Sequence, residues 1–360
     1  MKAPVLVAPN AFKGTLNAVE AALAVSRGLA RAGLEARPHP LTDGGDGFAE
    51  TLRFLLGGRT ERFSVRGPLG GRLECGALFL DGECFIETAC ACGLRLMDEP
   101  LPLRADTRGV GELLAAAAAL RPAAIYAGLG GSGTVDMGLG AAAALGARFL
   151  DREGRETVPA PENFPLIERA APPPAPFPPE GTELHVLYDT SVTLLEGLRV
   201  YSPQKGLDGP ALERHLAECA RLAEAFDRAA GRRVSEMPGS GAAGGLCAGL
   251  AWFAGGRAED GFAWFARRTG LAEALDSCRA VVTGEGRFDR TSLMGKAVGG
   301  LVGMALERGL PVLVLCGACE AEPPEGATVV ETGGKGDDAP PEAARRLEEA
   351  AAAAAHRLEL

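Results

Sequence analysis

Short apolar runs alternate with segments of helical periodicity along most of the chain. Residues 5–10, 184–190 and 311–317 are apolar runs of strand length, which is typical of strands buried in a parallel sheet. Apolar residues recur at helical spacing in residues 16–33 and 210–231. Strands that alternate with helices predict an α/β architecture built on a parallel sheet.

Individual residues in the first helix and strands indicate where these elements begin or where they lie in the sheet. Thr15 is placed to cap the helix of residues 16–33 at its N-terminus. Residues 35–41 form a second predicted strand, and its prolines indicate an edge of the sheet, because proline donates no ladder hydrogen bond. A helix at residues 48–57 follows a turn of sequence TDGGDG.

The pattern changes to alternation of apolar and polar residues between positions 61 and 87. A period of two, interrupted by glycine-rich turns, predicts hairpin strands. This segment therefore indicates an inserted antiparallel or mixed sheet rather than another strand–helix–strand unit. Beyond it, we expect a helix at residues 107–120, a strand with a glycine-rich turn at 123–136, a helix at 137–151 and a surface loop at 159–181.

The composition narrows the class of protein. The chain has 360 residues, 47% of them hydrophobic, and a formal net charge of -10, as expected for a globular protein of one large or two smaller domains. The acidic balance and the lack of a basic stripe argue against a nucleic-acid partner. The longest uncharged stretch, residues 239–256, is too rich in glycine for a membrane span. Residues 1–10 lack the pattern of a signal peptide, so we expect a cytoplasmic protein.

Polar turns, four of which contain glycine, follow five of the predicted strands. Ligands of open α/β sheets bind outside the carboxyl ends of the strands. Any single turn could be purely structural, but five at the same topological position indicate a binding site. The turns lie at residues 10–14, 43–47, 130–136, 189–190 and 284–289.

These turns combine glycines and carboxylates, and a few lysines lie in them or in other glycine-containing loops and helix starts. Successive backbone N–H groups of glycine turns can hold an anion, whereas carboxylates can hold Mg²⁺ or take a proton from a hydroxyl. Together they point to Mg-dependent phosphoryl transfer, although the loop G-x-x-x-x-G-K-[ST] is absent and GLGGSG matches a dinucleotide fingerprint only weakly. The carboxylates are Asp43, Asp46, Asp136, Asp189, Glu285 and Asp289, and the lysines are Lys13, Lys205 and Lys296.

A series of longer motifs resembles those of one family, in the same order. They are APNAFKGTL (8–16), DGGDG (43–47), TRGVGELL (107–114), GLGGSGTVDMGLGAAAALGARFLD (128–151), SPQKG (202–206), PGSGAAGGLCAGL (238–250) and VTGEGRFDRTSLMGK (282–296). Taken together, they resemble the motifs of the type 1 glycerate kinase family. The resemblance covers nearly the whole chain up to about residue 320.

The resemblance implies ATP-dependent phosphorylation of D-glycerate, most often at O2 to give 2-phosphoglycerate, with Mg²⁺ as the metal ion. It also implies two α/β domains with the active site in the cleft between them. We expect a Rossmann- or flavodoxin-like parallel-sheet domain formed by residues 1–62 and 280–360, with a mixed α/β domain inserted at residues 63–279. The expected partner is the small molecule D-glycerate, with no nucleic acid and no membrane, and the chain is expected to be a monomer or homodimer.

A substrate with a carboxylate and a reacting hydroxyl needs a cation and a base. Lys13 or Arg287, both expected in loops, would hold the carboxylate of glycerate. Asp43 is a further candidate for contact with the substrate. Asp189 or Asp289 would take the hydroxyl proton, and Lys13 also counts among the catalytic candidates.

The phosphate groups and the metal ion need a second set of residues. Lys205, as a catalytic group, and Lys296 would meet the phosphates. Asp43, Asp46 or Glu285 would coordinate Mg²⁺ directly or through water. The nucleotide would lie against the glycine turns at Gly130, Gly131, Ser132, Gly284 and Gly286.

The chain departs from the family pattern at two places. Val135 and Met137 stand where the family usually has Asn and Gly. The segment after Asp189 lacks the Asn-Pro of the family and is shorter. This change leaves open a kinase of another small hydroxy acid. A non-catalytic, nucleotide-binding regulator on the same scaffold is a third hypothesis.

Overall fold

The chain divides into two compact units. The structure is a computed structural model that describes residues 3–289, 292, 296–333 and 339–358. One unit, called here the terminal unit, comprises Met1–Gly57 and Phe262–Leu360. The other, the central unit, comprises Gly58–Gly261.

The junctions between the units fall earlier along the chain than 62/63 and 279/280. Arg59–Arg66 is a single strand that pairs along its length with Arg72–Leu80, so all of it belongs to the central unit. Trp264 packs on Phe48 of the terminal unit, with their ring centroids 5.8 Å apart. Side-chain packing of this kind places the segment that begins at Phe262 in the terminal unit.

The elements are numbered here in chain order. The strands are β1 (Val5–Val7), β2 (Ala36–Pro38), β3 (Arg59–Arg66), β4 (Arg72–Leu80), β5 (Glu83–Glu87), β6 (Ala124–Gly128), β7 (Arg148–Leu150), β8 (Arg169–Ala171), β9 (Glu183–Tyr188), β10 (Arg257–Asp260), β11 (Ala280–Phe288), β12 (Val312–Cys319) and β13 (Ala327–Glu331). The helices are α1 (Ala18–Arg31), α2 (Phe48–Leu56), α3 (Ala89–Cys92), α4 (Arg108–Ala118), α5 (Leu139–Ala144), α6 (Leu194–Tyr201), α7 (Gly209–Ala230), α8 (Ala242–Phe253), α9 (Gly261–Thr269), α10 (Leu271–Asp276), α11 (Ala297–Leu306) and α12 (Pro340–Ala354).

The terminal unit is built on a parallel sheet. Within the described residues the strand order is β13-β12-β11-β1-β2, and every pair is parallel. The apolar residues of β1 and most of β11 and β12 are buried, as is usual for a sheet covered on both faces. β2 lies at the edge, as its prolines predict. The predicted parallel-sheet architecture is confirmed.

Helix α1 begins two residues later than predicted. Asn17, not Thr15, is the N-cap: Asn17 Oδ1 accepts a hydrogen bond from Glu20 N at 2.8 Å, and Asn17 N donates to Glu20 Oε2 at 3.0 Å. This capping box satisfies two backbone donors at once. Thr15 instead donates its hydroxyl to Phe12 O at 2.9 Å, within the preceding turn.

The central unit is built on a mixed sheet. Its strand order is β10-β9-β6-β5-β4-β3 in the described residues. The pairs β3–β4 and β4–β5 are antiparallel, and the others are parallel. Alternate residues such as Ile86, Ile125 and Val186 form a core with residues of α4 and α8. The predicted hairpins and the mixed α/β class are both confirmed.

The segment after α5 differs from the prediction. The predicted helix at residues 137–151 ends at Ala144, because Gly146 takes a left-handed conformation with φ of 104°. The following residues form β7, which pairs with β8. The predicted surface loop at residues 159–181 therefore contains a strand, and it also contributes the buried side chains of Phe164 and Ile167. The pairing of β7 with β8 is non-local, so local periodicity does not show it.

The glycine-rich segment at residues 239–256 contains the buried helix α8 and its unusual first turn. Ala243, Gly244 and Gly245 have φ values of 52°, 68° and 85°, so the first turn of α8 is left-handed. A Cβ on Gly244 would lie 2.0 Å from the Thr134 carbonyl oxygen. Glycine thus lets α8 approach the turn after β6 closely. Among the described residues, no helix has both the length and the apolar character that crossing a membrane requires.

Candidate active site

β11 carries the acid that the sequence predicts in a turn. The strand continues to Phe288, so Glu285 and Arg287 lie within a strand, and the predicted loop position of both is wrong. β11 pairs with β12 on both sides of Gly286, and this non-local pairing extends the strand. A Cβ on Gly317 would lie 2.6 Å from the Gly286 carbonyl oxygen, so the close approach of the two strands depends on glycine at position 317.

Glu285 is a half-buried acid, and one of its carboxylate oxygens, Oε1, is buried and unused. Burial raises the pKa of its carboxyl to about 7, because the charged form loses its hydration. The negative charges of Asp289 and Asp43 raise the pKa as well, whereas the Ser292 hydroxyl and the Lys296 ammonium lower it. These groups therefore lie close to Glu285. Its Oε1 atom is nevertheless buried without a hydrogen-bond partner in the described part of the chain.

Lys296 stands at the start of α11. It is the N-cap residue, and the helix begins at Ala297, which confirms the predicted helix start near Lys296. The free N–H groups of a helix N-terminus attract anions. A lysine and a helix start close to a half-buried carboxylate suit a phosphate group that carries a metal ion.

The loop after β1 is hydrogen-bonded to β11. Asn10 N donates to the Gly284 carbonyl oxygen at 2.8 Å, and the Thr283 hydroxyl donates to Ala8 O at 2.7 Å. A Cβ on Gly284 would lie 2.1 Å from the Leu315 carbonyl oxygen. The packing of β11 against β12 therefore already explains glycine at position 284.

Two cations flank this part of the sheet. Lys13 lies in an exposed turn, the kind of loop position that the sequence predicts. Its backbone is near β11, because a Cβ on Gly286 would lie 3.4 Å from Lys13 N. Arg287 Nη1 lies 3.3 Å from Glu320 Oε1 in an exposed ion pair. Such pairs are weak, so the Arg287 guanidinium can exchange Glu320 for another carboxylate.

The DGGDG turn after β2 supplies two further acids. Asp43 and Asp46 are half-buried, and Asp43 Oδ1 accepts a hydrogen bond from Gly45 N at 3.2 Å. No three His, Cys, Asp or Glu side chains in the described ranges are grouped so that they could hold a metal ion. Asp43, Asp46 and Glu285 therefore do not form a complete cage of protein ligands.

Lys205 is a buried ammonium in the central unit. It ends the short helical turn Pro203–Lys205 and is 3% exposed. Its Nζ atom donates to Ser132 Oγ at 3.1 Å and to the Thr134 carbonyl oxygen at 2.8 Å. Both partners are neutral oxygens, so burial of the charge is offset by hydrogen bonds rather than by an ion pair.

The charges around Lys205 include one predicted catalytic residue. Burial lowers the pKa of Lys205 to about 8, while the negative charge of Asp136 and Asp189 opposes that shift. Asp189 is half-buried and directly follows β9. The central unit thus brings Lys205 and Asp189 together, whereas the alternative base, Asp289, lies in the terminal unit.

The glycine-rich turn after β6 presents Ser132 to this ammonium. Gly131 is exposed and left-handed, with φ of 61°, and its carbonyl oxygen accepts from Leu94 N at 2.9 Å. Gly130 is buried, and Ser132 is 7% exposed. A Cβ on Gly133 would lie 2.8 Å from Leu94 Cα. The turn is therefore fixed by its own packing and is open at Gly131.

Asp136 is a structural acid. Its Oδ2 accepts from Thr107 N at 2.9 Å, from the Thr107 hydroxyl at 2.7 Å and from Gly140 N at 3.0 Å. Its Oδ1 accepts from Gly138 N at 3.2 Å. Burial raises its pKa to about 6. These four donors lie at the starts of α4 and α5, so Asp136 joins two helices, and both of its carboxylate oxygens already accept hydrogen bonds.

Met137 replaces the usual glycine of the family at a position with a left-handed backbone. It occupies a position where the family usually has glycine, and its φ of 54° is left-handed. Its side chain is fully buried, and its N–H donates to Gly244 O at 3.0 Å. The buried packing of Met137 offsets the strain of a left-handed conformation at a residue other than glycine.

The sequence analysis missed two hydroxyls near Lys205. Thr134 Oγ1 and Ser202 Oγ are buried and have no hydrogen-bond partner within the described residues. Both residues bind Lys205 through their carbonyl oxygens, and Ser202 O accepts from Lys205 N at 2.9 Å. A buried hydroxyl without a partner costs about 1–3 kcal/mol and is uncommon. Thr134 lies in the motif that begins GLGGSGTVD, and Ser202 begins the motif SPQKG. Membership of these motifs is the sequence signal that could have identified both residues.

Comparison with known proteins decides the family. A sequence model described as the glycerate kinase family matches residues 5–359. The chain belongs to the glycerate kinase family. The resemblance found in the motifs is therefore confirmed, and so is the prediction that the protein is a kinase enzyme.

Individual members of the glycerate kinase family are similar to this chain over most of their own length. Glycerate 2-kinase of Escherichia coli K12 is 30% identical over 343 residues, with 87% of this chain and 85% of the relative covered. Glycerate kinase of Halalkalibacterium halodurans is 32% identical over 324 residues, with 87% and 85% covered. The crystal structure of a protein assigned as glycerate kinase 2 from Salmonella typhimurium LT2 matches with a TM-score of 0.81 at 28% identity, over 100% of this chain and 99% of that one.

Proposed function

We propose that the chain transfers the γ-phosphoryl group of ATP to O2 of D-glycerate, giving 2-phosphoglycerate, with Mg²⁺ as the metal ion. The observation that carries the proposal is the buried, unpartnered Oε1 of Glu285, close to Asp43, Asp289 and Lys296. A site of hard oxygens and an ammonium suits a metal-bound phosphate. The relatives named glycerate kinase and glycerate 2-kinase support the acceptor and its O2 position.

The acids of the terminal unit fit Mg²⁺. This ion keeps several waters and is usually bound by one or two carboxylates together with phosphate oxygens. Glu285 supplies an oxygen that lacks a partner among the described residues, and Asp43 or Asp46 supplies a second carboxylate. When bound, the ion would neutralise charge that develops on the phosphate groups.

The other predicted residues would bind and orient the substrates. Lys296 and the start of α11 would face phosphate oxygens, and Lys13 or Arg287 would hold the carboxylate of glycerate. Asp189 is our first candidate for the base, because it directly follows β9, at the carboxyl end of a parallel strand, and lies near the Lys205 ammonium. Nucleotide binding at the glycine turns stays a prediction. Its candidates in the central unit are Gly130, Gly131 and Ser132, and its candidates in the terminal unit are Gly284 and Gly286.

A coupled assay of ADP formation tests the proposal. We expect ADP to form with D-glycerate, ATP and Mg²⁺, and to stop when EDTA removes the metal. Omission of D-glycerate and its replacement by L-glycerate are the matched controls. ADP formation that D-glycerate does not accelerate would contradict the proposal.

A second acceptor is suggested by the changed segment after Asp189. This segment forms α6, which starts with a capping box between Thr193 and Glu196, and Thr190 Oγ1 lies 3.2 Å from the Tyr201 hydroxyl. If the segment contacts the acceptor, another small hydroxy acid would be preferred. A panel of such acids distinguishes the two candidates, since the preferred one has the higher kcat/KM.

A further inference from the structure

We propose that Lys205 is a positioning residue, which acts on the reaction through the Ser132 hydroxyl instead of contacting a phosphate itself. The inference rests on the proposed function, because the anion that receives the Ser132 hydrogen bond is taken to be an oxygen of the nucleotide or of D-glycerate. It changes the role that the motif suggests for Lys205 and gives Ser132 a side-chain role in addition to its backbone.

The burial of Lys205 argues against direct contact with phosphate. Its ammonium is 3% exposed and donates to two protein oxygens, Ser132 Oγ at 3.1 Å and Thr134 O at 2.8 Å. The third hydrogen of the ammonium is enclosed with it, because the residue is only 3% exposed. Moving Nζ out to a ligand beyond the loop would break both bonds. Removal of the Nζ donor would also leave the Thr134 carbonyl oxygen without it in a buried position.

The hydrogen bond from Lys205 determines what Ser132 can do. A serine hydroxyl has one hydrogen to donate and lone pairs that accept. Since Ser132 Oγ accepts from the ammonium, the hydroxyl hydrogen points elsewhere, and no described residue accepts it. Ser132 is 7% exposed and follows Gly131, which is exposed and left-handed. The hydroxyl is therefore a donor of fixed direction at an open turn, strengthened by the charge behind it.

The charged surroundings make this arrangement depend on the proton of Lys205. Burial lowers the pKa of Lys205 to about 8, and the carboxylates of Asp136 before α5 and Asp189 after β9 oppose the shift, while the thiol of Cys92 on α3, whose own pKa burial raises to about 12, stays neutral near pH 8. Above that pH the neutral amine becomes an acceptor, so the Ser132 hydroxyl can turn inward and donate to Nζ. The outward donor is then lost without any change in the fold.

A double-mutant cycle tests the coupling. We expect Lys205→Met and Ser132→Ala each to lower kcat/KM by about tenfold to a hundredfold, the range for a charge-assisted hydrogen bond. The double variant should be no worse than the poorer single variant, because both changes remove one donor. A double variant whose loss equals the product of the two single losses would overturn the proposal. Thr182→Val, which deletes another buried hydroxyl of the central unit, controls for a purely structural effect.

Two further measurements keep the proposal testable if Lys205→Met does not fold. Ser132→Thr retains the hydroxyl and should restore most of the activity that Ser132→Ala loses. The fall of kcat/KM above pH 8 should disappear in Ser132→Ala, whereas retention of that alkaline fall would contradict the inward turn of the hydroxyl.

The failure of this inference can be told apart from failure of the proposed function. If the wild-type protein does not phosphorylate D-glycerate, the proposed function fails, and the cycle is then read from the thermal shift produced by inorganic phosphate. An equal loss of that shift in both single variants and in the double variant supports the coupling. Additive losses, or no loss in Ser132→Ala, would overturn it.

Discussion

Glu285 in the terminal unit is half-buried, and Asp136 in the central unit is fully buried. Both are acids in glycine-rich segments, and burial raises their pKa values to about 7 and about 6. They differ in their hydrogen bonds. Asp136 accepts from four donors, at distances of 2.7 to 3.2 Å, whereas Oε1 of Glu285 has no partner among the described residues. A buried acid that is fully hydrogen-bonded holds the structure together, and one with an unpaired oxygen is available to a ligand.

The same contrast applies to the cations and to the candidate bases. Lys205 is buried against neutral oxygens in the central unit, and Lys296 caps a helix in the terminal unit. Asp189 lies near Lys205 in the central unit, whereas Asp289 lies near Glu285 in the terminal unit. Variants of these residues test which unit supplies the base and which supplies the acid that would bind the metal ion.

The largest effect is expected for the base. Asp189→Asn should lower kcat by about 10²–10⁴-fold, the usual worth of general-base catalysis, with KM little changed. Steady-state kinetics measures it, and Asp81→Asn, at an exposed turn of the same unit, is the matched control. An unchanged kcat in folded Asp189→Asn would move the base to Asp289.

The next effect is expected at Glu285. Glu285→Gln should lower kcat/KM by about 10²–10³-fold, as expected when an electrostatic contact to the transition state is lost. The melting temperature should stay equal or rise, because the amide avoids burial of a charge. Glu307→Gln, on the surface of the same unit, serves as the control. Loss of stability with retained activity would show that Glu285 is structural, like Asp136.

The opposite outcome is expected for Asp136→Asn. The amide nitrogen would face backbone N–H donors, so the free energy of unfolding should fall by about 1–3 kcal/mol. Urea denaturation measures this change. Activity per folded molecule should stay within a few-fold of wild type, and a complete loss of activity without loss of stability would contradict the structural role.

The smallest effect concerns pH. Because the folded protein raises the pKa of Asp136 from 3.8 to about 6, it binds that proton more tightly than the unfolded chain does. The stabilising contribution of the neutral carboxyl is thus present below about pH 4 and is lost as the pH rises through 6. Asp136→Asn should remove this part of the slope of unfolding free energy against pH. A slope that is identical in both proteins would contradict the assignment.

The sequence predicts those features of the fold that depend on local pattern. The apolar runs identify β1, β9 and β12, and alternation identifies the hairpin of β3 and β4. Thr15 and Asn17 are both suitable caps, and the Glu three residues after Asn17 is the local signal that favours the second. The full length of β11 and the existence of β7 and β8 depend on pairing between distant segments, which periodicity does not contain.

The site is predictable only as a set of residue types. Motif order identifies the family, and it places Lys205 and Asp189 among the candidates. It does not separate Asp136 from Glu285, because both are acids flanked by glycine. The difference comes from Thr107, 29 residues before Asp136 in the chain, which donates twice to its carboxylate. The roles of Lys13, Arg287 and Asp289 remain predictions.

The central claim is that the chain phosphorylates D-glycerate at O2 with the help of Mg²⁺. Phosphorus NMR of a reaction that contains the wild-type protein, ATP, D-glycerate and Mg²⁺ tests it most directly. We expect the resonance of 2-phosphoglycerate to appear as ADP forms, and we expect neither product when EDTA is present. Unchanged ATP, or 3-phosphoglycerate as the sole product, would contradict it.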